Sequence, residues 1–106
     1  MSEKTFFSLR TYTQLEKMDE KVRHTGEQFL IRLAKGKYAH LEYHISADSL
    51  YIDSTFVPEE YRGRGLADTL MKAAIEHAKD NKLKIVPVCS YAELFFERHP
   101  EYQNLL

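Results

Sequence analysis

This 106-residue chain has one cysteine, no tryptophan, three prolines and four glycines. A single cysteine, Cys89, excludes a disulfide framework within the chain and suggests a reducing compartment. No stretch approaches the roughly 18 apolar residues of a membrane span. The opening Met1-Ser2-Glu3-Lys4-Thr5 has no long apolar run behind it, so no signal peptide is expected. An excess of one charge is missing as well. Fifteen basic and sixteen acidic residues leave a net charge of −1, so no global positive field draws in nucleic acid. No cysteine–histidine spacing resembles a zinc site. His40 and His44 would stand about 13 Å apart on a strand, too far to share a metal. The expectation is a cytoplasmic protein with neither a membrane nor a nucleic-acid partner.

What is present suits one folded domain. Hydrophobic residues make up 43% and charged residues 29%, a globular rather than a disordered composition. Residues 1–24 carry no clean pattern. Phe6, Phe7, Leu9 and Tyr12 suit a strand or core packing, and Thr13 to Arg23 is polar with helical character. This segment is read as an extension ahead of a domain spanning 25–106.

From Glu27 the chain alternates, with Phe29, Ile31 and Leu33 on one face, the signature of a strand. Lys35-Gly36-Lys37 makes a hairpin turn. Tyr38 to Ser46 alternates again through Ala39, Leu41, Tyr43 and Ile45. After the turn at Ala47-Asp48-Ser49, a third strand runs from Leu50 to Val57. There Leu50, Ile52 and Phe56 share one face, and Asp53 and Thr55 the other. Short connections favour an antiparallel meander. Pro58 ends the pairing.

From Gly65 the period changes. Ala67, Leu70, Met71, Ala74 and Ala78 form the apolar stripe of a helix ending near Asn81, read as a left-handed cap. Lys82 to Cys89 reads as a further strand. Pro87 within it cannot donate to a ladder, so part of that strand lies at an edge or a splay. Ser90-Tyr91-Ala92-Glu93 has the spacing of a capping box and opens a short helix to about Arg98, stopped by His99-Pro100. The order β-β-β-α-β-α predicts a mixed α/β (α+β) layer fold on a mainly antiparallel sheet.

The most informative stretch is Val57-Pro58-Glu59-Glu60-Tyr61-Arg62-Gly63-Arg64-Gly65-Leu66-Ala67, between a strand and a helix. Gly63 and Gly65 let backbone approach an anion and adopt positive φ. The first N–H groups of the helix lack intrahelical partners, and the helix dipole adds to their attraction for negative charge. Arg62 and Arg64 bring local positive charge, although solvated loop charges are the bland alternative. The expected ligand carries phosphates, and Lys72 is a candidate for an outer one.

Arg62-x-x-Gly65-x-Ala67 resembles the acetyl-CoA signature of the GCN5-related N-acetyltransferases. Pro87-Val88-Cys89-Ser90-Tyr91 and His99-Pro100-Glu101-Tyr102 further resemble a small subfamily of minimal acetyltransferase-like domains with a cysteine after the fifth strand. The resemblance covers roughly residues 22–106. It implies that the backbone of Arg62, Gly63, Arg64, Gly65, Leu66 and Ala67 binds the pyrophosphate of coenzyme A. Phe56 and Val57 would pair with the pantetheine arm, and the splay beside Ile85 to Cys89 would admit the arm and the acetyl group. Cys89 and Tyr91 join the cofactor-binding residues. Two departures stand out. The chain is too short for the full N-terminal side that builds the amine site in the family, and Phe96 occupies the usual place of a tyrosine acid.

Three roles are open to Cys89. A thiol at a helix N-terminus is a potential nucleophile that could take the acetyl group. It could line the acyl pocket, or it could pack against Leu94 as a hydrophobic staple. His40 or His44 could act as a base on an open sheet face, and Asp53 could orient an amine. The function implied is transfer of acetyl from acetyl-CoA to an amine of a small molecule or protein. The alternative is a non-catalytic acyl-CoA binding or sensing module, auto-acetylated at Cys89.

Overall fold

The computed structural model describes residues 22–106, and the expected elements of residues 1–21 lie outside the described residues. Strands β1 (Val22–Thr25), β2 (Gln28–Ala34), β3 (Lys37–Ser46) and β4 (Ser49–Phe56) come first. A 3-10 turn over Glu59–Tyr61 leads to helix α1 (Leu66–Asp80). Strand β5 (Lys84–Pro87), helix α2 (Ser90–Arg98) and a 3-10 segment (Pro100–Leu105) follow.

The five strands form one sheet in chain order. β1 to β4 are antiparallel neighbours, whereas β5 runs parallel to β4 after the α1 crossover. The mixed, mainly antiparallel layer expected from the hydrophobic pattern is therefore the observed one. β1 adds a strand. The polar pattern before it predicts helical character as far as Arg23, yet Val22 pairs with Ile31 and His24 with Phe29. The His24 and Phe29 rings stack at 4.3 Å, and the His24 ring bonds to the Tyr43 hydroxyl. Long-range pairing here overrides a weak local preference.

One face of the sheet carries all its buried residues, among them Ile31, Leu41, Leu50, Ile52 and Ile85. Leu70, Met71, Ala74 and Ile75 of α1 and Phe95 and Phe96 of α2 join them in a single cluster. Each such Leu, Ile or Phe contributes roughly 1.5–3 kcal/mol by leaving water. Two contacts hold α2 and the segment after it alongside α1. The Tyr91 hydroxyl bonds to Asp68 near the start of α1, and Lys79 near its end lies 5.5 Å over the Tyr102 ring. The opposite face, bearing His40, Glu42, His44 and Ser54, has no buried residue among the described ones.

Strict alternation fails in β4. Glu42 pairs with Ser54 and Tyr43 with Ile52, which leaves Asp53 as an extra residue, a β-bulge. The bulge shifts the phase of everything after it. Thr55 turns to the helix-covered face, opposite the buried Leu41, and Phe56 turns to the open face, where it is 45% exposed. The expected sharing of one face by Ile52 and Phe56, and of the other by Asp53 and Thr55, is thus corrected.

The end of α1 departs from expectation at one residue. Asn81 has φ −106°, and the left-handed residue is Lys82 at φ +58°. Leu83 N–H reaches back to Ala78 O at 2.8 Å and Lys82 N–H to Lys79 O at 3.1 Å, the paired bonds of a Schellman end. A lysine held in that region costs about 1–2 kcal/mol. Lys82→Gly should therefore raise the unfolding free energy by about 1 kcal/mol in urea denaturation, and Lys82→Val should lower it.

Candidate functional site

The loop between β4 and α1 is shaped by its own backbone. Pro58 O accepts from Tyr61 N–H at 2.9 Å, and Glu59 O from Arg62 N–H at 3.2 Å. The Arg62 side chain folds back, its Nε donating to Val57 O at 2.9 Å. Arg64 lies 5.1 Å from the Tyr61 ring centre, a cation–π contact. An ion pair between Lys37 and Glu60 ties the β2–β3 hairpin to the loop.

Gly63 and Gly65 both have positive φ, +84° and +79°. A Cβ at either would meet no atom within 4 Å, so the backbone angle, not crowding, demands glycine. Gly65 is the N-cap of α1 and has no side chain to offer as a cap. The first N–H groups of a helix lack intrahelical partners, so those of α1 remain available to an anion, with the helix dipole behind them.

Beside this N-terminus a cavity of about 520 Å³ runs between the end of β4, the loop, α1 and α2. Of the residues expected to hold the cofactor, Phe56, Val57, Arg62, Gly63, Gly65 and Leu66 line it, as do Ala67 and Tyr91. Arg64 and Cys89 do not. Arg64 is turned onto Tyr61, while Cys89 stands behind Thr55, which does line the cavity. Lys72 is also away from it.

Thr55, Tyr61, Asp68 and Arg98 line the cavity without having been expected there. Arg98 had a readable signal, since it follows Tyr91 by two helical turns and so shares its face. Thr55 had none, because its face depends on the bulge. Asp68 and Tyr91 close one wall through their hydrogen bond. Burial first, and the Asp68 carboxylate second, push the Tyr91 phenol well above the usual tyrosine range. Tyr91 therefore stays protonated at neutral pH and donates a hydrogen bond to Asp68.

β4 and β5 part at Ile52. Its carbonyl accepts from both Val88 N–H and Cys89 N–H at 3.1 Å, and Pro87 is the last paired residue of β5. The expected splay is thus present, with β5 ending at Pro87 rather than Cys89. Cys89, not Ser90, is the N-cap of α2. Its Sγ accepts from Ala92 N–H at 3.4 Å and lies 3.6 Å from Thr55 Oγ1, in the mouth of the splay. A sulfur so engaged replaces the expected Ser90 capping box. Phe96 is 2% exposed in the core, away from the cavity.

The open face carries a second, shallower hollow of about 310 Å³ that includes His44 and Asp53. His44 Nδ1 lies 2.7 Å from Asp53 Oδ2. His40 sits beside the Phe56 ring at 5.4 Å, and His99 stacks on Phe95 at 4.2 Å at the end of α2.

Residues 28–105 match the model of a family described as GCN5-related N-acetyl-transferase. Protein NATD1 of Danio rerio is 35% identical over 80 residues, which cover 74% of this chain and 73% of the relative. Protein NATD1 of Homo sapiens is 31% identical over 80 residues, covering 74% and 71%. The solution structure of a GCN5-like protein from Staphylococcus aureus superposes with a TM-score of 0.70 at 30% identity. The match covers 82% of this chain and 87% of that one.

The loop geometry yields a direct check. Gly65→Val should cost about 1–2 kcal/mol of stability in urea denaturation, because it holds a β-branched residue in the left-handed region.

Proposed function

The chain belongs to the GCN5-related N-acetyltransferase family, and on that premise we propose that it binds acetyl-CoA and transfers the acetyl group to an amine. The observation that carries this reading is the uncapped N-terminus of α1, framed by Gly63 and Gly65 and opening on a cavity that ends at Thr55. Such a cradle fits a pyrophosphate, with the N–H groups of α1 as donors and Arg62 beside them. The pantetheine arm would follow β4 past Phe56 and Val57, where β5 no longer supplies partners. The bound thioester supplies an activated acetyl group. The protein orients it at the splay, beside Thr55 and Cys89.

Cys89 gives the proposal a second form. Its thiol could displace coenzyme A from the thioester, forming a new carbon–sulfur bond to the acetyl group and releasing the coenzyme as thiol. The buried Phe96 and the commitment of Tyr91 to Asp68 favour keeping this alternative, an acyl-CoA sensor acetylated on Cys89. Neither residue presents a free proton donor at the cavity.

Calorimetry with acetyl-CoA, coenzyme A and dephospho-coenzyme A tests the cradle. Binding of all three is expected, weakest for the dephospho form. Intact mass after incubation with acetyl-CoA separates the two readings. A stable adduct lost in Cys89→Ser, with no transfer to any amine, marks a sensor, and turnover without an adduct marks a direct transferase. Failure of all three ligands to bind would remove the cofactor reading.

A further inference from the structure

The bulge and the splay fall at the same place on β4. Ile52 O is the last group of β4 that binds β5, and Asp53, the next residue, is the bulged one. Past this point β4 has β3 on one side and open space on the other. The helix-covered face presents Thr55 and Cys89 to that gap, 3.6 Å apart. The open face presents Asp53, hydrogen-bonded to His44 of β3. On the open face Asp53 borders the gap, and His44 stands across β4 from it, on β3 opposite Tyr51.

We propose that His44, held by Asp53, is the base that takes the proton from the amine acceptor, and that the acceptor enters across the open face of the sheet. This rests on the acetyl-CoA reading above and supplies its missing half. An ionised carboxylate only accepts, so His44 Nδ1 carries the proton toward Asp53 Oδ2 at 2.7 Å and leaves Nε2 as the free acceptor. The ring is fixed on its other side by stacking on Tyr51, 4.7 Å between centres and 9° from parallel. The side chains of His44 and Asp53 are 46% and 38% exposed, so the pair is open to an incoming molecule. The groups around the pair are Glu27 before β2, Gln28 of β2, Glu42 and Tyr43 of β3 and Tyr51 of β4, with no lysine or arginine lining the hollow among the described residues. That surrounding tolerates an acceptor arriving as its ammonium.

The step balances. The ammonium gives one proton to His44 Nε2, and the freed amine lone pair forms a bond to the acetyl carbonyl carbon. The carbon–sulfur bond of the thioester breaks, and its electron pair leaves with the sulfur. The second nitrogen proton passes to the leaving thiolate as the carbon–sulfur bond breaks, and His44 later releases the first to water. One amide, one coenzyme A thiol and one proton result from one ammonium and one acetyl-CoA. Asp53 acts through His44 and is a positioning residue.

The test is steady-state release of coenzyme A thiol from acetyl-CoA with 1,6-diaminohexane as acceptor, across pH, in wild type, His44→Gln and Asp53→Asn. His44→Gln should lower kcat about 100-fold, leave acetyl-CoA affinity by calorimetry within twofold, and abolish the acidic limb of the pH–rate profile. Asp53→Asn should lower kcat by about tenfold or more through loss of the correct tautomer, with the same unchanged affinity. Turnover of His44→Gln within threefold of wild type, with the acidic limb intact, overturns the inference. So does a wild type that binds acetyl-CoA yet releases no thiol with the diamine, an outcome that leaves cofactor binding standing. Absence of acetyl-CoA binding removes both.

Discussion

Pro87 has no N–H to give to a sheet ladder, and the functional end of the molecule follows from that constraint. Opposite it, Ile52 offers one carbonyl that two successive N–H groups, of Val88 and Cys89, share. β5 then turns into α2, while β4 continues as far as Phe56 with one edge free. Free backbone groups at a sheet edge are a demand as much as an opportunity, since each seeks a partner. A chain-like ligand with amides of its own, such as the pantetheine arm of the proposed cofactor, would meet that demand.

The same few residues shape both sides of the gap. Asp53 is displaced by the bulge, and the displacement sends Thr55 to Cys89 and frees Asp53 to hold His44. Without the extra residue, Thr55 and the cysteine would lie on opposite faces. The α1 N-terminus lies at the far end of the cavity, where Gly65 leaves its N–H groups uncapped. The uncapped helix N-terminus, the gap and the open-face pair are thus strung along β4 and the loop after it. The hydrophobic layer beneath, from Leu41 and Ile52 to Leu70 and Phe96, supplies the rigidity.

Much of this was legible from the residues in order. Alternation over Phe29, Ile31, Ala39 and Leu41 marked two strands, and the period of Leu70, Met71 and Ala74 marked α1, because burial on one face imposes those periods. The Gly63 and Gly65 turn and the break at Pro87 were visible because glycine and proline act through their own backbones. What was hidden depends on partners distant in sequence. Val22 to Thr25 became a strand only through pairing with β2, and the phase of Thr55 and Phe56 only through a register shift. Cys89 took the cap that Ser90 seemed built for, since the direction of its thiol depends on where β5 stops pairing. Lys82 occupies a left-handed position that glycine or asparagine usually fills, so its sequence carried no sign of it.

The central claim is that phosphates bind at the start of α1 and the acetyl group at the parting of β4 and β5. Backbone amide shifts, followed by NMR during parallel titrations with acetyl-CoA and coenzyme A, address both halves at once. The account predicts that Gly63, Gly65, Leu66 and Ala67 move alike with either ligand. Asp53, Thr55 and Cys89 should move differently between the two, because only one ligand brings the acetyl group. Equal shifts at Asp53, Thr55 and Cys89, or shifts centred away from the loop, would contradict it.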